Sequence, residues 1–90
     1  MNDALLSLVG QQVVVDTRSP WIYIGTLAEV RADCLLLTGV DVHDSGETAI
    51  PKERYVLDSC KTGIHPNRRS VYINLEYVVS VSRLDDVIKF

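Results

Sequence analysis

Hydrophobic residues alternate with polar residues along most of the chain, with the two-residue period of β-strands. Five stretches carry this pattern: 12–16, 21–31, 34–42, 70–75 and 78–84. Gly25 interrupts the second stretch, and a glycine inside a strand usually marks a sharp bend or a close approach between backbones. The pattern predicts short strands that are joined mainly by tight turns, as in a meander.

Two segments have the helical period instead. Residues 2–9 carry apolar side chains at helical spacing, and Gly10 ends the segment. Residues 51–63 begin with Pro51, which suits a first helical position, and end at Gly63, which suits a left-handed C-terminal cap. An apolar stripe runs along this second segment: Val56, Leu57, Cys60 and Ile64. The sequence therefore predicts an N-terminal helix and a second helix between strands three and four.

Residues 43–46 are predicted to form a polar loop after the third strand. Several potential metal ligands crowd this part of the chain: Asp41, His43, Asp44 and Glu47. Clustered carboxylates bind hard ions and histidine suits zinc, but the spacing matches no known metal-binding loop. We therefore expect no metal.

Composition and charge limit the class of protein. Ninety residues, 47% hydrophobic and 23% charged, are enough for one domain, which we expect to span residues 1–90. The 12 acidic and 9 basic residues give a net charge of −3. This balance argues against attachment to nucleic acid through bulk positive charge, although a local basic patch remains compatible with it.

The chain has none of the apolar runs of about 18 residues that a membrane span needs, and its first ten residues do not resemble a secretory signal. Cys34 and Cys60 have no metal-type or redox spacing. We expect two free thiols in a cytoplasmic protein that has no membrane partner, with a Cys34–Cys60 disulfide as the alternative.

No catalytic motif stands out along the chain. Serine, histidine and aspartate are present, but a nucleophile elbow, a phosphate loop and a paired-carboxylate signature are not. We therefore expect a protein that binds and assembles, without enzymatic activity and without a cofactor.

Residues in the first half of the chain form a motif: Val9-Gly10 with Val13 and Val15, then Gly25-Thr26-Leu27, then Leu35 and Leu37. Stretches 71–75 and 78–81 match a second motif, in which a one-turn corner separates two strands. This arrangement resembles the Sm-like (LSm) family of small ring-forming proteins, and the resemblance leaves out residues 44–69. It implies a mostly β fold, a small five-stranded antiparallel barrel that carries the two predicted helices, and assembly into a closed homo-oligomeric ring.

The chain departs from the family where the family holds an RNA base. The second reversal, residues 31–34, lacks the family's asparagine and aromatic residue. Asn74-Leu75 stands where the family has its arginine-glycine signature. RNA is the ligand that the resemblance implies, but the family's uridine pocket does not carry over to this sequence.

The only basic concentration precedes the fourth strand. Arginine recognises phosphate through its planar fork, and an exposed tyrosine can stack on a base. The candidate RNA-binding residues are accordingly His65, Asn67, Arg68, Arg69 and Tyr72. Two other interpretations stay open. The arginines could form ion pairs with Asp85 and Asp86 or with a neighbouring subunit, and Tyr72 could pack in an interface.

The last two strands are the expected contact between copies, because open sheet edges are a liability unless they are paired. The candidate interface residues are Val71, Ile73, Val79 and Val81. The sequence therefore favours a ring-forming protein that binds single-stranded RNA weakly. The alternative is a homo-oligomeric scaffold for protein interactions that binds no nucleic acid.

Overall fold

The structure, a computed structural model, describes the backbone of residues 2–89 and the side chains of residues 3–89. Its helices and strands follow one another as α1 (Asn2–Leu6), β1 (Gln12–Thr17), β2 (Trp21–Val30), β3 (Cys34–Asp44), α2 (Lys52–Thr62), β4 (Arg68–Asn74) and β5 (Val78–Arg83). A 3₁₀ turn, Leu75–Tyr77, joins β4 to β5, and a second, Leu84–Asp86, follows β5. The mostly β class, the N-terminal helix and the helix between strands three and four are confirmed.

The five strands form one antiparallel sheet in the order β4-β3-β2-β1-β5. Within residues 2–89, β4 pairs only with β3 and β5 only with β1. Each of these strands therefore has one unpaired side, which we call the β4 edge and the β5 edge. The predicted corner between them is confirmed as the Leu75–Tyr77 turn, and the two strands that it connects do not pair with each other.

The inner face of the sheet surrounds one apolar core. Its buried members come from β1 to β4: Val13, Val15, Leu27, Leu35, Leu37, Val40 and Ile73. Val78 and Val81 of β5 pack against the same cluster, so the two end strands of the sheet share a core and the sheet curls into an open barrel. Gly25 permits the curl, because a Cβ placed there would lie 3.0 Å from the Thr38 carbonyl oxygen.

A second core lies on the outer face of β1 and β2. Val14, Ile22, Ile24, Val56 and Leu84 are buried there, between the sheet, α2 and the last 3₁₀ turn. Because α2 covers this face, β1 is buried on both sides, which explains its run of three consecutive valines. In residues 2–89, neither helix is long and apolar enough to cross a membrane.

The Lys52 side chain links the start of α2 to the turn between β1 and β2. Its ammonium donates hydrogen bonds to Asp16 Oδ1 at 2.6 Å and to the carbonyl oxygens of Thr17 and Ser19 at 3.0 and 2.7 Å. At the other end of α2, Gly63 has a φ of 89°, and its amide donates to the Ser59 carbonyl. The prediction that Gly63 caps α2 with a positive φ is confirmed.

Some predicted boundaries and contacts differ from the structure. Helix α1 ends at Leu6 rather than at residue 9. The prediction of a loop over residues 43–46 is wrong at its start, because β3 continues to Asp44. The strand can continue because its polar side chains find partners in α2 and in the segment before it. The two cysteines, Cys34 and Cys60, are free thiols, as predicted.

Candidate nucleic-acid interface

The basic segment predicted from the sequence forms the start of β4 and the residues before it. Arg68 and Arg69 are both exposed. Together with Gly39, Pro66 and Asn67 they line an open cavity of about 430 Å³. Because this cavity is open and two arginines are among the residues that line it, it suits the contact of a phosphate more than the enclosure of a base.

The Asn67 side chain already forms hydrogen bonds within the protein. Its Oδ1 accepts a hydrogen bond from the Val42 amide, and its Nδ2 donates to the Val42 carbonyl, both at 3.0 Å. The side-chain amide of Asn67 thus forms the same two hydrogen bonds with Val42 of β3 that the backbone of a neighbouring strand would form. His65 lies in the segment between α2 and β4 and is exposed.

Alternation along β4 separates Arg69 from Tyr72. Ile73 is buried in the inner core and Val71 packs against that core, so Arg69, two residues before Val71, lies on the inner face. Tyr72 lies on the outer face, and Arg68, at the start of the strand, pairs with Val40 of the inner core. Arg69 therefore lies on the face opposite to the candidate stacking residue, Tyr72.

The Tyr72 ring is exposed at 60% of its surface, and it has a cationic partner that the sequence analysis missed. The Arg31 guanidinium carbon lies 5.4 Å from the centroid of the ring. A hydrogen bond of 3.4 Å from Arg31 Nε to Glu29 raises the pKa of the guanidinium. The sequence predicted that the reversal at residues 31–34 places Arg31 next to β3. It did not show that β4 would pair with the other side of β3 and bring Tyr72 close to Arg31.

A second arginine–tyrosine pair lies at the corner between β4 and β5. The Arg18 guanidinium carbon lies 5.5 Å from the centroid of the Tyr77 ring, and Nη2 donates to the Glu76 carbonyl. The Arg18 amide also donates to the Tyr77 carbonyl at 2.9 Å. These contacts fix the corner against the turn between β1 and β2, so the end of β4 and the start of β5 are held in place.

The four candidate interface residues occupy different environments. Ile73 is buried in the inner core, and Val71 and Val81 are partly buried against it. Val79 is exposed at 61%, because it is the extra residue of a β-bulge: Val78 pairs with Thr17, and Ser80 already pairs with Asp16. The Val79 side chain is therefore accessible to a neighbouring copy. The Ile73 side chain is not, and it can contribute to a contact only by stabilising β4.

The backbone of β4 shows which groups face the unpaired edge. The Leu75 amide donates to the Asp33 carbonyl at 2.9 Å, and hydrogen-bonded pairs recur at every second residue of an antiparallel ladder. Ile73 and Val71 therefore direct their amide and carbonyl groups toward β3. Tyr72 and Ser70 direct theirs outward, where they are available to another strand.

A buried polar network lies between β3 and α2, next to the segment that precedes β4. Asp41 in β3 is only 2% exposed, and its two carboxylate oxygens accept hydrogen bonds from the Tyr55 hydroxyl at 2.7 and 2.6 Å. The Tyr55 ring stacks on His43 with 3.8 Å between centroids, and His43 Nε2 lies 3.0 Å from the Ile50 carbonyl oxygen. Asn67 Nδ2, 3.5 Å from Asp41 Oδ1, links this network to the segment before β4.

The network holds α2 against β3 and fixes the path of the chain into β4. Burial, together with the hydrogen bond to Asp41 and its negative charge, raises the pKa of Tyr55 to about 12. The hydroxyl therefore remains a donor at neutral pH, and the Asp41 carboxylate is kept paired. Two of the potential metal ligands, Asp41 and His43, thus contact α2 and the segment before it.

Comparison with solved structures identifies related folds. The chain is similar to the Sm protein of Pyrococcus abyssii, solved in complex with a uridine heptamer, with a TM-score of 0.64 and 13% identity over 91% of this chain and 94% of that chain. It is also similar to a chain of the NatC complex bound to CoA, with a TM-score of 0.56 and 19% identity over 86% and 79% of the two chains.

A second structure of the NatC complex, bound to Gag peptide and CoA, gives the same TM-score of 0.56 and 19% identity over 86% of each chain. No family model and no curated protein matches the sequence. At these identities the similarity concerns the fold.

Replacing Tyr55 by phenylalanine tests the buried network. The ring can still stack on His43, but the Asp41 carboxylate loses its close donor, so we expect the free energy of unfolding to fall by about 1–3 kcal/mol at pH 7. A tyrosine in the unfolded chain has a pKa of about 10, so the contribution of the hydroxyl is complete below that pH and disappears as the pH rises toward about 12.

Urea unfolding followed by circular dichroism, between pH 7 and pH 11.5, measures both effects. The difference between the wild type and Tyr55→Phe should shrink above pH 10. Tyr77→Phe is the matched control, because Tyr77 is exposed and its loss should cost little. Equal losses in the two variants, or a difference that does not change with pH, would contradict the role given to Tyr55.

Proposed function

We propose, starting from the Sm-like fold of this chain, that it is the subunit of a closed homo-oligomeric ring that contacts single-stranded RNA. Residues 1–90 act as one domain, and the protein works by binding rather than by catalysis. Its free thiols, Cys34 and Cys60, suit the reducing environment of the cytoplasm.

The observation that carries the assembly is the pair of unpaired edges at the two ends of one sheet. Each edge has an exposed large side chain, Tyr72 on β4 at 60% and Val79 on β5 at 61%. Antiparallel pairing of the β4 edge of one copy with the β5 edge of the next would use the outward backbone groups of Ser70 and Tyr72. Repetition of one such contact produces a ring when the rotation closes.

The RNA part of the proposal is supported by the fold and by the basic segment. One protein of similar fold was solved with a uridine heptamer. In this chain, Arg68 and Arg69 line an open cavity, and Tyr72 offers an exposed ring to a base. A ring would repeat these groups once per copy, so that several weak contacts add up to useful affinity.

Binding through these groups should be weak and should show little preference among bases. Arginine contacts with phosphate carry no sequence information and weaken as salt rises. Asn67, the one amide of the candidate set, is committed to Val42 and cannot read a base edge without leaving β3. His65 is a further exposed group that can contact the backbone of the RNA.

A homo-oligomeric scaffold for protein interactions is the second candidate. The similarity to a chain of the NatC complex favours it, because that fold also occurs in an assembly of proteins. The partners of Asn67 and the Arg31 guanidinium over the Tyr72 ring favour it too, since both reduce what is free to read RNA.

The assembly is tested by Val79→Pro. Val79 has no Cα partner in the β1 register, so proline leaves the paired positions on either side in place, but its ring disrupts the edge on which a neighbouring strand would pair. We expect the wild type to sediment at micromolar concentration as a closed oligomer of the 10.0 kDa chain, and Val79→Pro to sediment as a monomer.

Val79→Ala is the control and should assemble like the wild type. Circular dichroism must show that Val79→Pro keeps its β structure. A wild type that sediments as a monomer at this concentration would exclude the ring.

RNA binding is tested by fluorescence anisotropy with uridine-rich and adenine-rich single strands at two salt concentrations. We expect weak binding to both strands at low salt, a steep loss at higher salt, and a loss of about tenfold or more in Arg68→Ala/Arg69→Ala. Arg54→Ala, which removes a cation on the exposed side of α2, is the control for net charge.

Binding that is strongly selective for one base at high salt, or that is unchanged in the double variant, would contradict this mechanism. An absence of binding at low salt would favour the scaffold.

A further inference from the structure

Arg83, the last residue of β5, has a guanidinium group that the chain itself does not fully pair. Among the described residues, its Nε is the one buried side-chain nitrogen or oxygen without a hydrogen-bond partner. Its terminal nitrogens lie 3.8 Å from Asp85 Oδ2 and from Asp86 Oδ1, which is beyond hydrogen-bond distance. Both carboxylates are exposed, so water screens these contacts, and 42% of the Arg83 side chain is itself exposed. Arg83 can therefore accept a further anion.

Each unpaired edge carries one arginine on the inner face of the sheet. Arg83 pairs with Val13, which is fully buried in the inner core, and paired residues of an antiparallel ladder point to the same face. Arg69 lies on the inner face near the start of β4, where it lines the open cavity of about 430 Å³. The β4 edge and the β5 edge therefore present a cation on the same side of the sheet.

The edge pairing proposed above brings these two arginines together. Strand β4 has seven residues and β5 has six, so antiparallel pairing along their whole length places the start of β4 beside the end of β5. Arg69 of one copy then lies next to Arg83 of the next copy, on the same face. Like charges that lie opposite each other on neighbouring strands are destabilising. The contact is therefore unfavourable at this point unless an anion lies between the two guanidinium groups.

We propose that Arg69 of one copy and Arg83 of the next copy form a site for a phosphate group, and that this site is complete only when the two edges pair. The inference rests on the assembly proposed above and adds Arg83 to the residues that contact RNA. Phosphate oxygens can accept charge-assisted hydrogen bonds from two guanidinium groups at once. A phosphate that binds only the paired edges must also strengthen their pairing, because binding and assembly are linked.

Asp85 and Asp86 are the competing partners for Arg69 in this contact, because both lie close to Arg83. If these carboxylates paired with Arg69 of the neighbouring copy, phosphate would compete with them and would weaken assembly. A phosphate site between the two arginines predicts the opposite sign. The response of assembly to phosphate therefore distinguishes the two arrangements.

Sedimentation velocity at constant ionic strength measures this response. Inorganic phosphate replaces chloride in one arm, and a short uridine-rich single strand is added in the other. We expect each addition to lower the dissociation constant of the wild-type assembly about tenfold or more. Arg83→Gln should assemble more strongly than the wild type without phosphate, because the repulsion is removed, and should respond less than about twofold to phosphate. Arg54→Gln makes the same change in net charge on the exposed side of α2 and should respond like the wild type.

The outcomes separate the shared site from the assembly itself. A wild type that is monomeric with and without phosphate would overturn the edge pairing. An oligomeric wild type that phosphate weakens or leaves unchanged, or an equal response in Arg83→Gln, would overturn only the shared site. Strengthening by inorganic phosphate but not by the single strand would support the site and exclude RNA as its ligand. Circular dichroism checks that each variant is folded.

Discussion

The sheet of this protein has two ends that the chain itself leaves unpaired, and most of its surface features follow from that constraint. Both β4 and β5 contribute side chains to the inner core, so each is held firmly although it has only one neighbouring strand. A rigid edge with outward amide and carbonyl groups is a template for another strand. Pairing with other copies, as proposed, would satisfy these groups and would bring together the side chains of Tyr72 and Val79, which the single chain exposes.

Helix α2 shapes the outer side of the β5 edge. The buried Asp41–Tyr55 pair fastens α2 to β3, and Lys52 fastens it to the turn after β1. This position covers the outer face of β1 and brings Glu53 beside the β5 edge. The polar residues at the end of β3 therefore act indirectly, by holding α2 beside the β5 edge.

The alternation of apolar residues predicted all five strands. Pro51 and Gly63, at the two ends of the helical segment, predicted α2. Both signals are local in the sequence. Partners that depend on tertiary packing could not be predicted. The apolar residues around Val56 showed that α2 has a buried side, but not that Tyr55 would pair with Asp41 in β3. Nor did Arg31 and Tyr72 carry any local sign that a reversal and a later strand would bring them together. The candidate site was therefore found as a segment, but the contacts that occupy Asn67 and Tyr72 became visible only in the structure.

Amide hydrogen exchange along β4 tests most directly whether the edges pair between copies. Val71 and Ile73 bond to β3 within the chain, so their amides should exchange slowly at any concentration. The amides of Ser70 and Tyr72 face outward and gain a partner only through another copy. The account predicts that they exchange as slowly as those of Val71 and Ile73 at micromolar concentration and faster on dilution. Rapid exchange of Ser70 and Tyr72 at every concentration would contradict it.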